Sequence, residues 1–395
     1  MTLADSSAAP AALFSRIDRL GVLIAALAVG GVLSPFASFR ANRIVPGTAI
    51  GFGDALPGWE LWIIGAVLLA ATVIALIKAP PRFRLLISFA ALVALALAIG
   101  DAAQMATPSG DTISRTSPGT GFWLWMLAFT LMASDAVARL SLKPWPRIGL
   151  LVAVAAALGL LLWSGHWSDL SVLREYANRA KDFWREAGTH LVLALGSLVA
   201  ATAIGLPIGI LCHRVPKVRA GILNTLNAVQ TIPSIALFGL LIAPLAWIAA
   251  NVPGAAALGI AGIGIAPAMI ALFLYSLLPV VANTVVGLDG VPEAANEAAR
   301  GMGMTDRQRL FSVELPLAFP VILTAIRIVL VQNIGLATVA ALIGGGGFGV
   351  FVFQGVGQQA MDLVLLGAVP TVALAFAAGI LLDAAVELVS TGGRI

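Results

Sequence analysis

The chain alternates long apolar runs with short polar stretches. A helix that crosses a bilayer needs about 20 apolar residues. Runs of that kind fall near 20–38, 61–79, 85–100, 121–140, 148–164, 189–212, 222–249, 260–288, 318–343 and 361–386. Several are far longer than the strands of a membrane barrel, and they lack period-two alternation. Only helices and closed barrels satisfy every backbone hydrogen bond in lipid. The pattern therefore predicts an all-α integral membrane protein with about ten transmembrane helices. The run at 85–100 is short, so nine is the alternative.

The first run follows Arg16 and Arg19, which looks like the positive start of a signal peptide. It is longer than a signal's apolar core and no small-x-small site follows, so an uncleaved anchor is expected.

Composition removes other classes of protein. Of 395 residues, 60% are hydrophobic and 11% charged, against about 45–50% apolar and about 25% charged in soluble domains. A water-soluble enzyme, a disordered regulator and a nucleic-acid binder are excluded. The net charge of +4 comes from scattered basic residues that form no patch. The single cysteine, Cys212, allows neither an intrachain disulfide nor a cysteine metal cluster. His166, His190 and His213 stand in no ligand spacing, and no metal site is expected.

With the N-terminus inside, the inner segments carry about twice as many Lys and Arg as the outer ones. The inner set includes Arg16, Lys78, Arg82, Arg139, Arg214, Arg300 and Arg394, and the outer set Arg40, Arg43, Arg115 and Arg174. Both termini are expected to be cytoplasmic.

The chain divides near 165. Residues 1–165 hold five apolar runs and an outer loop at 101–120 rich in Ser, Thr, Pro and Gly, expected to be irregular. Residues 166–187 are polar, with Leu170, Leu173, Tyr176, Ala180 and Phe183 at helical spacing. They read as an amphipathic helix on the outer, periplasmic surface or as a solvated lead-in to the next span. Residues 188–395 hold the remaining spans, with many Gly and Pro residues.

The polar stretch at 290–317 is the informative one. Pro292 suits the first turn of a helix. Ala294, Ala295, Ala298, Ala299 and Met302 then share one face, and Glu293, Asn296, Glu297 and Arg300 the other. Gly301 and Gly303 are expected to break that helix. Thr305 can cap a second helix, with Gln308 as the reciprocal partner. That helix shows Leu310, Phe311 and Leu315 and is expected to stop at Pro316. An ordinary connection would need about 2–8 residues. The stretch reads as a short two-helix finger rigidly joined to two spans, with an ordinary loop as the alternative.

Here the sequence resembles a known family. Glu297-Ala298-Ala299, Gly303, Val313 and Leu315-Pro316 match in spacing the EAA motif of ABC importer permeases, with Val313 where Ile is usual. The resemblance covers about 188–390. Within it, Gln230-Thr231-Ile232-Pro233-Ser234, the stretch 271–279 and Ala340-Ala341-Leu342-Ile343-Gly344 are similar to the osmoprotectant branch, which imports glycine betaine, choline or related solutes. The spans before 165 resemble a subset with an extended N-terminus. The resemblance implies an ABC permease core in the C-terminal half and a coupling loop, 290–317, that docks on a cytosolic ATPase. Its coupling residues would be Glu297, Ala298, Ala299, Gly301, Gly303, Leu315 and Pro316. It also implies a periplasmic or extracellular solute-binding protein, a second permease subunit (most simply a homodimer), and a multi-pass place in the cell's inner membrane. ATP and Mg would sit on the partner ATPase, with no cofactor in this chain. The same machinery carrying another small solute, an amino acid or amine, is the alternative, and an ion-coupled carrier a more distant one.

A nucleotide site here would need a Gly-rich loop ending in Gly-Lys-Ser/Thr. No lysine follows Gly or precedes Ser or Thr. Gly344–Gly349 fits G-x-G-x-x-G but follows a membrane span and opens no dinucleotide fold, so it reads as a flexible turn at the outer face. An ion-coupled carrier usually keeps ionisable groups deep in its spans. Only Arg327 lies clearly deep, and snorkelling or pairing with a helix end is expected of it, with gating as the alternative.

Gln230, Thr231, Ser234, Asn283, Gln332, Asn333 and Thr338 are candidates for the translocation path. Their alternative role is hydrogen bonding between helices. With Tyr275 the only tyrosine in a span and Trp247 the only later tryptophan, an aromatic cage is not expected. Recognition is therefore assigned to an external binding protein, with a weakly selective path.

Overall fold

Every apolar run becomes helix, and the helix ends show where local chemistry overrode the run. The structure, a computed structural model, describes residues 18–42, 45–108, 110–111 and 113–392. Arg16, Arg43 and Arg394, used above for the start and the orientation, lie outside the described residues. Among those described, nine helices are long and apolar enough to cross a membrane, and Arg19–Leu33 is a shorter apolar helix. The chain divides into two units, Met1–Leu142 with Ala153–Ala177 and Lys143–Val152 with Asn178–Ile395.

In the first unit lie α1 (Arg19–Leu33), α2 (Gly58–Leu76), α3 (Pro81–Ala106) and α4 (Thr120–Leu140). The run at 85–100 proves to be part of a 26-residue helix. Its polar end is satisfied: Gln104 Nε2 donates to the His166 carbonyl at 2.9 Å. A three-stranded antiparallel sheet also forms, from β1 (Ala37–Arg40), β2 (Thr48–Ile50) and β3 (Arg115–Pro118), with Ala37 opposite both Ile50 and Pro118. It corrects the reading of 101–120 as irregular, because three or four residues are too few to show alternation. At one end of these helices, buried Arg84 meets Asp18 at 2.5 Å, and Arg139 reaches Asp18 at 3.0 Å and Asp135 at 2.9 Å. Opposite charges meet there because a buried charge without a partner is costly.

Helix α5 (Pro144–Trp163) and helix α6 (Ser171–Arg214) follow. Within the polar segment 171–187 the helical backbone is interrupted at Arg179 (φ −130°, ψ 25°), with helix on either side of the kink.

The second unit adds α7 (Pro216–Thr231), α8 (Ser234–Asn251), α9 (Ile265–Asp289), α10 (Glu293–Gly301), α11 (Asp306–Arg309), α12 (Leu315–Ala337), α13 (Gly349–Gly357) and α14 (Met361–Gly392). The single run at 222–249 is therefore two helices. Pro233 has no N–H to continue the first, and it holds Ile232 in extended backbone (φ −70°, ψ 127°). The run to 343 ends as helix at Ala337 and finishes as a 3-10 turn, Val339–Ile343. The core joins Leu193 of α6, Leu272 of α9, Phe238 of α8, and Ala337 and Ala340, all fully or nearly buried.

Candidate coupling element and translocation helices

Helix α10 ends on a glycine cap. Gly303 has φ +79°. Its N–H donates to the Arg300 carbonyl at 2.9 Å, and the Met304 N–H donates to the Ala299 carbonyl at 3.1 Å. This pair of bonds, with a left-handed residue between them, is the Schellman arrangement. Gly301 remains helical, so only Gly303 breaks the helix. Two residues on, Thr305 Oγ1 accepts from the Gln308 N–H at 3.3 Å while Gln308 Oε1 accepts from the Thr305 N–H at 2.9 Å. The expected capping box is present.

The alanine face divides. Ala299 is buried, whereas Ala294, Ala298 and Met302, four residues apart in succession, are exposed together with Glu293, Glu297 and Arg300. One side of α10 anchors the element, and the other presents small side chains and one flexible methionine.

Pro316 does not end the second helix. The chain passes from α11 through a π-helical turn, Leu310–Glu314, directly into α12. The Leu315 N–H bonds to the Leu310 carbonyl five residues back. A widened turn takes the proline ring away from the carbonyl it would strike in a regular helix. Leu315 is half-buried, and Pro316 is exposed in the first turn of α12. The finger is thereby continuous with a membrane span.

Its base is fixed by charges that the sequence reading missed. Glu314 is buried, with Arg309 Nε at 2.9 Å and Arg214 of α6 at 2.5 Å. Next to it, Asp289 at the end of α9 takes His213 Nδ1 at 2.7 Å and Arg219 of α7 at 2.8 Å. The one available signal was a carboxylate inside an otherwise apolar Val-x-Leu-Pro string.

The path candidates separate. Asn333 is fully buried: its amide donates at 2.9 Å to Ser197 Oγ on α6 and at 2.9 Å to Ser276 Oγ on α9. It ties three helices together. Gln230 Nε2 donates to the Tyr275 carbonyl at 2.8 Å, and the Tyr275 hydroxyl donates to the Ile232 carbonyl, so the α7–α8 break is held against α9. Asn283 bonds to the carbonyl of Pro279, which sits inside α9 without breaking it. Thr231 is exposed and bonds to the Ala228 carbonyl. Ser234 opens α8, and Thr338 closes α12. Gln332 alone among the seven lines a cavity of about 640 Å³, with Arg327 and Asp383.

Arg327 meets a side chain rather than a helix end. It pairs with Asp383 of α14, which also takes Arg147 at 2.5 Å, and Arg147 reaches Glu387 at 3.2 Å. The Gly344–Gly349 segment is a turn but is pinned: the Gly347 N–H donates to Glu186 Oε2 at 2.7 Å and the Phe348 N–H to His190 Nδ1 at 3.3 Å. Among the described residues no group of three or more His, Cys, Asp or Glu could hold a metal ion.

Comparison with known proteins bears on both parts of the chain. Residues 205–392 match the family model described as binding-protein-dependent transport system inner membrane component. Residues 18–173 match the one described as ABC transporter permease YehY, N-terminal domain. The carnitine transport permease protein OpuCB of Listeria monocytogenes is 39% identical over 186 residues, 47% of this chain and 78% of that one. The osmoprotectant import permease protein OsmW of Salmonella typhimurium is 42% identical over 179 residues, 45% and 78% of the two chains. A solved inward-facing MetNI methionine ABC transporter matches with a TM-score of 0.47 at 23% identity, over 54% of this chain and 98% of that one.

Proposed function

This chain belongs to the family of binding-protein-dependent transport system inner membrane components, the permeases of ABC importers, and we propose that the solute it carries is an osmoprotectant, a quaternary amine such as glycine betaine or choline. It is a multi-pass inner-membrane protein of a transporter and not an enzyme.

The remaining parts of the proposal follow from the finger. ATP, with Mg, is hydrolysed on a separate cytosolic subunit. The exposed face of α10 docks there, with Glu297, Ala298, Ala299, Gly301 and Gly303 forming the docking helix and its cap, and Leu315 and Pro316 the joint to the span. Two such fingers serve a pair of ATPases, which makes a homodimer the simplest assembly. A solute-binding protein outside delivers the cargo, and both termini lie in the cytoplasm. Residues 1–165 serve as an accessory membrane region, 166–187 as a periplasmic amphipathic helix and 188–395 as the permease core.

The observation that carries this reading is the continuity of the capped finger with α12. A movement imposed on α10 reaches a membrane span without crossing a flexible joint. Coupling requires that the ATPase contact the inward-open and outward-open states differently.

Vesicles containing this chain, its ATPase and its binding protein test the proposal. ATP-dependent uptake of glycine betaine, choline or carnitine is expected. Uptake confined to amino acids would overturn the choice of solute, and uptake driven by an ion gradient without ATP would overturn the whole reading.

A further inference from the structure

Arg327 lies 12 residues into α12, about 18 Å along it. It sits within a membrane span, yet its side chain is 34% exposed and that of its partner Asp383 42%. Lipid would not tolerate charges open to this extent, so their open side faces water or protein. The space there is an open, mostly apolar groove of about 640 Å³, a volume within the roughly 300–1,000 Å³ of small-molecule sites. Its walls include Ile328, Val331 and Gln332 on α12 and Gly379 and Phe376 on α14. Phe376 is an exposed ring two turns from Asp383, about 10 Å along the helix.

We infer that this cavity is a transit site for zwitterionic quaternary amines, with Arg327 taking the solute's carboxylate and the Phe376 ring its ammonium group. The inference rests on the osmoprotectant reading above and specifies which members of that class fit. Asp383 engages Arg327 at Nη1, and a guanidinium has five donors, so the rest of the fork can take a second carboxylate. Asp383 is a positioning residue: it is itself held by Arg147 at 2.5 Å, and Arg147 also takes Glu387. A zwitterion adds no net charge there, while a plain cation such as choline adds a positive charge beside Arg327 and leaves its donors unused. A quaternary ammonium over one aromatic face is attracted by the ring's quadrupole. A single ring holds it weakly, as a site on a path must.

The test uses Val331→Cys, on the cavity wall, as a reporter in vesicles containing the ATPase and binding protein; the native Cys212 is buried. Glycine betaine and carnitine are expected to slow modification of this cysteine by a small thiol reagent about tenfold, and choline to have little effect. Arg327→Gln should abolish that protection, and Phe376→Leu, a conservative apolar change at an exposed position, should weaken it. Undiminished protection in both variants would overturn the site, as would failure of glycine betaine to protect in vesicles that import it. Vesicles that import no quaternary amine would overturn the solute assignment and this site with it.

Discussion

Arg309 and Glu314 are five residues apart and meet at 2.9 Å. On a regular α-helix such residues point about 140° apart around the axis. The π-helical turn between them closes that angle, because five-residue bonding winds the chain more slowly. The same turn that admits Pro316 therefore aims Glu314 at Arg309 and at Arg214 of α6. Finger and membrane helices become one piece through a single carboxylate.

Glu314→Ala should loosen that joint. Removing one partner of a buried ion pair costs about 3–5 kcal/mol when the other charge is left uncompensated; the cost here is smaller, because Arg309 keeps Asp306 at 3.0 Å and Arg214 is partly exposed. The finger would still dock but would no longer carry α12 with it. Uptake per ATP hydrolysed is expected to fall sharply while the ATPase still co-purifies. A wild-type ratio of solute to ATP would show that the pair is not the joint.

Gly303 gives a graded test. Its backbone is left-handed, and a Cβ placed there meets nothing within 4 Å. Any cost of a side chain is then backbone strain alone, about 1–2 kcal/mol for alanine and more for a β-branched residue. Asparagine visits this region readily. Uptake should fall in the order Gly, Asn, Ala, Val, with equal membrane insertion throughout. Normal uptake by Gly303→Val would refute the role of the cap.

The parts of this fold that could be read in the chain are those set by neighbours in sequence. The Thr305–Gln308 box and the Gly303 cap depend on residues three to five apart, and both formed as read. Prolines show the limit. Pro233 breaks a helix, Pro316 is absorbed by a π turn, and Pro279 lies within an unbroken α9. The three differ in what surrounds them, which the local sequence does not record. Asn333 looked like a pore residue because polarity in a span has two explanations. Its partner Ser197 lies 136 residues away, and nothing local links the two. Arg327 and Asp383, 56 residues apart, were hidden in the same way.

Asn333 separates those two explanations by experiment. Its serine partners also donate to carbonyls of their own helices, Ser197 to Leu193 and Ser276 to Leu272, each at 2.6 Å. Asn333→Leu therefore leaves no bare hydroxyl and should cost about 1 kcal/mol, in keeping with measured hydrogen bonds between membrane helices. Thermal stability in detergent should drop modestly, with the preference among glycine betaine, carnitine and choline unchanged. A changed preference would place Asn333 on the path.

The last prediction concerns pH. Asp18 opens α1: one carboxylate oxygen accepts the Leu20 N–H at 3.0 Å, and the other meets Arg84 and Arg139. Burial works against its charge, but the Arg84 hydrogen bond and the charges of Arg84 and Arg139 outweigh it and hold the carboxyl below the ordinary aspartate value. A carboxyl whose pKa falls on folding adds stability above its unfolded value, about 3.9. That stability is lost as the pH drops through the lower folded value. Asp18→Asn should therefore lower the melting midpoint of the purified protein at about pH 7, and the gap from wild type should narrow below about pH 4. A gap that stayed constant across that range would mean that the charge on Asp18 is not what holds α1, α3 and α4 together.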